Sequence, residues 1–231
     1  MDYLNGLILE ELMNRELSEK EISEITKYLF PKDCLPIFES DCIIFSPSAF
    51  AVKNRLTFLV DYFNKFPKKP VIFIRNGRKE NYLTVENNQE REIVEDVYSR
   101  DFPGRNFFED YKRGEGWLLK RALIEEFGID ERYFRVSSEI ETLDRFFDDN
   151  RSVFRANRSL LMPQPFEKRF LKRFLDLVGY DVAYHLMKTP FKDEKYGDAS
   201  ENEWWKSPAS KSLVLAEFDL TRKRLENRIL I

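Results

Sequence analysis

Apolar residues follow two rhythms along this chain. Short unbroken runs alternate with stretches in which apolar positions recur every three or four residues. The runs are Asp41 to Phe45, Val71-Ile72-Phe73-Ile74, Tyr133 to Val136, Ser159-Leu160-Leu161-Met162 and Asp181 to Leu186. Continuous apolar runs of this length fit strands buried on both faces, as in a parallel sheet. The stretches between them predict helices. Leu56, Leu59, Val60 and Phe63 share a helical face beginning near Lys53. Leu119, Ala122, Leu123 and Phe127 do the same from Glu115, with Gly128 as the stop. A third helix carries Leu143, Phe146 and Phe147 behind a capping box formed by Ser138 and Glu141. A fourth carries Phe166, Phe170, Phe174, Leu177 and Val178, and ends at Gly179.

Strand–helix alternation with right-handed crossovers predicts a three-layer α/β/α, Rossmann-like fold. Its mostly parallel five-stranded sheet is expected in the order 3-2-1-4-5, with the run at Asp41 to Phe45 in the middle. Both ends read as helical extensions. Leu4, Leu7, Ile8 and Leu12 give one apolar face. Ser18 and Glu21 form a capping box ahead of Ile22, Ile25 and Leu29, and Pro31 ends that helix. This unit is expected to add a layer on the sheet. At the other end Ser207 caps and Pro208 opens a helix with Leu213, Ala216, Glu217 and Leu220 along one line.

Residues 78–113 are polar and weakly patterned, with a helix from about Gln89 to Ser99. They read either as a binding loop or lid, or as a variable surface insertion. Residues 188–206 form a polar connection holding Trp204 and Trp205, which either close over a flat ligand or pack beneath the loop. No repeat or boundary divides the chain. It reads as a single domain over 1–231, with an N-terminal extension (1–36), a core (37–190) and a C-terminal connection and helix (191–231).

Charge narrows the partners. The 38 basic and 41 acidic residues give a formal net charge of −3, too balanced a field to gather nucleic acid or an anionic membrane. No run approaches the roughly 20 apolar residues of a membrane span, and the N-terminus lacks the basic start of a signal peptide. A cytoplasmic protein is expected. Hydrophobic residues make up 42%, which with 21 Phe predicts a bulky core. Cys34 and Cys42 carry no Cys-x-x-Cys spacing, so structural zinc is excluded, and Cys42 reads as a small buried hydrophobe. His185 is the single histidine and falls on a strand, which excludes a His-based metal site and favours a core or edge role. Gly-x-Ser-x-Gly is absent. Carboxylate-only magnesium binding stays open.

Five landmarks, in order, resemble the YdcF-like family, a Rossmann-like bacterial domain related to SanA and ElyC. They are Asp-Cys-Ile-Ile-Phe (41–45) followed by Arg55; Pro70-Val71-Ile72-Phe73-Ile74 leading to Gly77; Glu115 opening a helix that ends Phe127-Gly128-Ile129; Thr142 and Asp144; and Leu161 to Arg169, with Pro165-Phe166 before the downstream arginine. The departures are as informative. The family's glycine-rich first loop is here Ser46-Pro47-Ser48, its Ser-Gly-Gly is Arg75-Asn76-Gly77, and the histidine after Pro-Phe is Glu167.

Rossmann-type sheets bind ligands beyond the carboxyl ends of their strands, at the switch point. That gathers Ser46, Ser48, Arg55, Arg75, Asn76, Gly77, Thr142, Gln164 and Arg169 as candidate ligand-binding residues, with Glu115 the candidate acid or base by resemblance. Arg55 and Arg169 read either as clamps for a carboxylate or phosphate, or as members of ion pairs, for instance with Glu115. Glu115 also suits ordinary helix-dipole stabilisation. The start of the helix near Lys53 offers N–H groups to an anion. The resemblance implies a small nucleotide-type or anionic ligand, S-adenosylmethionine first. Rival readings are a hydrolase or transferase acting on a phosphorylated or envelope-related substrate, and a non-catalytic relic acting through protein contacts.

Overall fold

The computed structural model describes residues 8–32, 39–48, 51–77 and 89–229. The predicted helical face at Leu4 and Leu7, and Cys34, lie outside them. Five strands form one parallel sheet: β1 (Cys42–Phe45), β2 (Val71–Ile74), β3 (Phe134–Arg135), β4 (Ser159–Met162) and β5 (Tyr184–Leu186). The order is β3-β2-β1-β4-β5, and every neighbouring pair is parallel. All four β1 residues are buried, as a central strand requires. β3 and β5 are shorter than their apolar runs, since an edge strand needs only enough pairing to finish the sheet.

Side-chain alternation sorts the core into two layers. Ile43 and Phe45 face one side with Ile72, Ile74, Leu160 and Met162. Cys42 and Ile44 face the other with Phe73, Leu161 and Leu186. The first layer is covered by α1 (Leu9–Asn14), α2 (Glu19–Leu29), α3 (Val52–Lys65), α4 (Gln89–Asp101), α5 (Phe107–Tyr111), α6 (Glu115–Glu125) and α10 (Pro208–Ile229). The second is covered by α7 (Leu143–Asp149), α8 (Arg151–Ala156) and α9 (Lys168–Val178). There a phenylalanine cluster packs edge to face, with Phe147 and Phe170 centroids 5.2 Å apart. Among the described residues no helix is long and apolar enough to cross a membrane.

The N-terminal extension joins the first core layer through Leu12, Ile25 and Leu29, and α2 lies against α9 and α10. The Ser18–Glu21 capping box forms as expected. The second expected box does not. Thr142, not Ser138, caps α7, its Oγ1 accepting from Arg145 N–H at 3.2 Å. Glu141 instead turns toward the end of β2. Other elements escaped the hydrophobic pattern, among them α5, α8 and a small antiparallel ribbon, β6 (Lys192–Asp193) with β7 (Gly197–Asp198). Trp204 is fully buried and its indole N–H donates to Thr26 Oγ1 at 2.9 Å, pinning the C-terminal segment to α2. That settles Trp204 as packing rather than a ligand cover.

Candidate functional site

Strand register builds the site. Phe45 pairs with Ile74 and with Met162, so the next row beyond the sheet is Arg75, Ser46 and Pro163, and the row after that is Asn76, Pro47 and Gln164. Adjacent strands lie about 4.8 Å apart, so residues from three distant segments start within two strand spacings of one another. β1 and β4 send their chains to opposite sides here, which makes this the switch point.

The protein's own polar groups bridge that point. Ser46 is buried, and its hydroxyl donates to Glu167 Oε2 at 2.5 Å. The Gln164 N–H donates to the same oxygen at 3.3 Å. Glu167 is itself only 7% exposed. The loop after β4 is tied in turn to the segment after β5, since Thr189 donates both its N–H and its hydroxyl to Pro163 O at 2.9 Å.

Arg55 lies beneath this bridge with no exposed surface. Its Nε donates to Thr189 Oγ1 at 2.9 Å, Nη1 to Ser48 O at 3.2 Å and Nη2 to Ser46 O at 2.6 Å. Its guanidinium also stacks 4.8 Å from the Phe45 ring centroid. Burial pulls its pKa down to about 10, while the charges of Glu167 and Glu115 oppose the fall. The side chain expected to clamp a ligand is therefore a strut that shapes the loop after β1. Arg169 is likewise engaged internally, in a two-pronged pair with Glu217 of α10 at 3.0 and 3.1 Å rather than with Glu115. Burial pushes the Glu217 carboxyl upward; Arg169 opposes that shift and Glu167 adds to it.

The turn after β2 is a second knot. Asn76 is fully buried, and its amide N–H groups reach Arg113 O, Ser137 O and Glu139 O at 3.0 to 3.3 Å. Its backbone exchanges hydrogen bonds with Glu141, whose carboxyl is raised by burial. Glu115 opens α6 at 7% exposure, its N–H donating to Gly77 O at 2.7 Å. Its Oε2 lies 3.9 Å from Arg75 Nη2. Arg75 Nη1 donates a hydrogen bond to Glu141 O, and its side chain is 24% exposed. The Arg75 guanidinium folds back over Gly77, where a Cβ would meet it at 2.5 Å and push that side chain aside.

The predicted residues thus fall into three groups. Ser46, Ser48, Arg55, Gln164 and Arg169 gather around the β1–β4 switch. Arg75, Asn76, Gly77 and Glu115 gather beyond β2. Thr142 stands apart as an exposed helix cap. The Gln164 side chain makes no hydrogen bond among the described residues, so it and Arg75 are the donors most open to a newcomer. Of the N–H groups expected to be open at the start of α3, that of Lys53 is taken by Asp101 of α4, whose Oδ2 accepts from it at 3.1 Å. His185 lies on the edge strand β5, half-buried, as expected of a strand residue. No group of three or more metal-ligating side chains occurs among the described residues. A cleft of about 360 Å³ between α1, α4 and the start of α10, lined in part by Met13, Trp205 and Lys211, contains none of the predicted site residues.

Sequence reasoning named Glu167 only as a departure from the family and Glu141 only as a helix cap, and passed over Thr189 and Asp101. Glu167 carried a faint signal, as a charge immediately after Pro-Phe at a strand end. Thr189 carried none, because its partner Arg55 is 134 positions away. No family model matches the chain, and no curated protein is significantly similar to it.

Proposed function

We propose that this protein binds a small, charged, nucleotide-type ligand beyond the carboxyl ends of β1, β2 and β4. S-adenosylmethionine is the first candidate, taken from the resemblance to the YdcF-like family, and the cytoplasm is the expected compartment. One observation carries the reading: ionisable groups are buried beyond the ends of β1, β2 and β4, close enough for the charges of Glu115 and Glu167 both to act on Arg55. Glu115 and Glu167 are each 7% exposed and Arg55 is fully buried. Burying charge is expensive, and clusters of such groups concentrate at functional sites. Ser46 is engaged internally with Glu167 and Pro47 has no N–H to offer, which disfavours the close backbone contact that an extended dinucleotide needs. A compact ligand carrying both signs of charge, met by Arg75 and Gln164 at the mouth and by carboxylates behind them, suits the arrangement better.

The test is thermal unfolding with S-adenosylmethionine, a mononucleotide, NAD and inorganic phosphate. A ligand at 100 times its dissociation constant adds about 2.7 kcal/mol, which for a chain of this size raises Tm by roughly 5–10 °C. Stabilisation by S-adenosylmethionine that is lost in Arg75→Ala supports the reading. No response to any of the four overturns it in favour of the non-catalytic relic.

A hydrolase or transferase acting on a phosphorylated or envelope-related substrate is the second reading. It rests on the buried Glu115 carboxylate, which opens a helix and faces Arg75 at 3.9 Å. Turnover that vanishes in Glu115→Gln while the unfolding curve is unchanged is the result it requires.

A further inference from the structure

The cleft of about 360 Å³ between α1, α4 and the start of α10 lies apart from the strand ends, and its walls are mainly apolar: Met13 of α1, Ile93 and Val94 of α4, Trp205, and Leu213 of α10. A second cleft, of about 570 Å³ and bordered by Leu17 and Ile22, shares Met13, Trp205 and Lys211 with the first. Concavities of this order, walled by hydrophobic side chains with a few placed polar groups, are typical of small-molecule sites. Local geometry leaves the opening. α1 is six residues long and gives way to extended backbone at Arg15, so it ends without covering Met13, which stays 38% exposed. Trp204, buried in the core, meets the Trp205 ring edge to face at 5.8 Å and fixes it at the cleft.

Two donors give these walls a sign. Lys211 is partly buried, and its ammonium donates to Arg15 O at 2.6 Å and to Met13 O at 3.3 Å, at the C-terminal end of α1. Those carbonyls use two of its three N–H groups and leave its charge without a counter-ion. Lys211 forms no ion pair among the described residues, and Glu21, one of the acids that act on it, is already paired with Arg15. Burial and the Arg15 charge lower the Lys211 pKa, against the pull of Glu16 and Glu21. The second donor is the Trp205 indole N–H, which makes no hydrogen bond among the described residues. We propose that this cleft is a second ligand site, which takes a small monocarboxylate with an apolar body. The carboxylate meets Lys211 and the Trp205 N–H, and the body lies against Met13, Ile93 and Leu213. An anion without an apolar body, such as inorganic phosphate, gains nothing from those walls. The site is independent of the ligand proposed for the strand ends.

The experiment is calorimetric titration of the full chain with octanoate, naphthoate and the neutral amide of each. The expected result is saturable, one-to-one binding of an acid, with its amide at least about tenfold weaker because the charge-assisted hydrogen bond is lost. Which acid binds tighter shows whether the body is an aliphatic chain or an aromatic ring. Lys211→Met keeps the apolar stem and should bring the acid down to the affinity of its amide. Ala216→Phe, at an exposed position of α10 that lines the cleft, should fill it and weaken the acid without touching the ammonium. Cooperative thermal unfolding checks that each variant is folded. Should Lys211→Met lose its hold on α1 and fail to fold, the acid–amide comparison and Ala216→Phe decide. No saturable binding of either acid, equal affinity for acid and amide, or wild-type affinity for the acid in either folded variant overturns the inference.

Discussion

Replacing Arg55 with Met tests whether that arginine is a strut or a ligand clamp. The substitution keeps an unbranched apolar stem and removes the guanidinium. Three hydrogen bonds go, to Thr189 Oγ1, Ser48 O and Ser46 O. Hydrogen bonds from a charged donor contribute about 1.5–3 kcal/mol each, and a buried acceptor left alone costs about 1–3 kcal/mol. Glu167 and Glu115 also lose their fully buried counter-charge. Breaking one side of a buried ionic network typically costs about 3–5 kcal/mol. These contributions describe the same atoms and do not add, so the expected loss is about 4 kcal/mol. That is a large part of an ordinary domain's 5–15 kcal/mol, and corresponds to a fall in Tm of roughly 10 °C. Urea unfolding with an unchanged m-value is the assay. Arg55→Lys should fall in between, because a single ammonium keeps the charge but lacks the planar fork that spans all three acceptors. The reasoning fails if Arg55→Met unfolds within about 1 kcal/mol of wild type. If it also abolishes ligand binding, Arg55 is the clamp that the sequence suggested.

Three other expectations follow from local chemistry. Arg15 and the Ser18 cap lower the Glu21 carboxyl from 4.5 to about 2, so its contribution is complete above pH 4.5 and is lost as pH falls toward 2. Because Arg15 is half-exposed, Glu21→Gln should cost only about 1 kcal/mol near neutrality and should flatten the acid limb of the stability–pH curve; an unaltered acid limb would contradict this. Gly114→Ala should destabilise by about 2–3 kcal/mol in denaturant titration, since its φ is 101° and a Cβ would meet Asn76 Oδ1 at 2.1 Å. Burial pushes the Cys42 thiol up to about 11, so in Cys34→Ser a thiol reagent should modify Cys42 only at the rate of unfolding, and immediate labelling of the native protein would refute the buried placement.

The sequence by itself determined the parallel sheet and the central place of Asp41 to Phe45, while the expected strand order was that of Rossmann-type sheets. Both depend on hydrophobic period and strand–helix alternation, which act over neighbouring elements. It also located the Ser18–Glu21 box and the Ser207–Pro208 helix start, where Ser207 Oγ accepts from the Ser210 N–H at 3.1 Å. Local pattern misled at Ser138–Glu141, because the capping spacing occurs one turn before the true cap and Asn76 offers Glu141 a better-buried partner. The candidate site was legible as a set of positions, since every loop after a parallel strand emerges at the same edge of the sheet. What each side chain does there was not legible. Arg55 reads the same in sequence whether it faces a ligand or three internal acceptors, and Asp101 reads as an ordinary end of a polar helix until α4 is laid against α3. The partners of Ser46, Arg55, Arg169 and Lys53 lie 121, 134, 48 and 48 positions away, respectively. Only the folded chain decides such pairings, because the burial that makes a charge select its partner does not exist until the layers have closed.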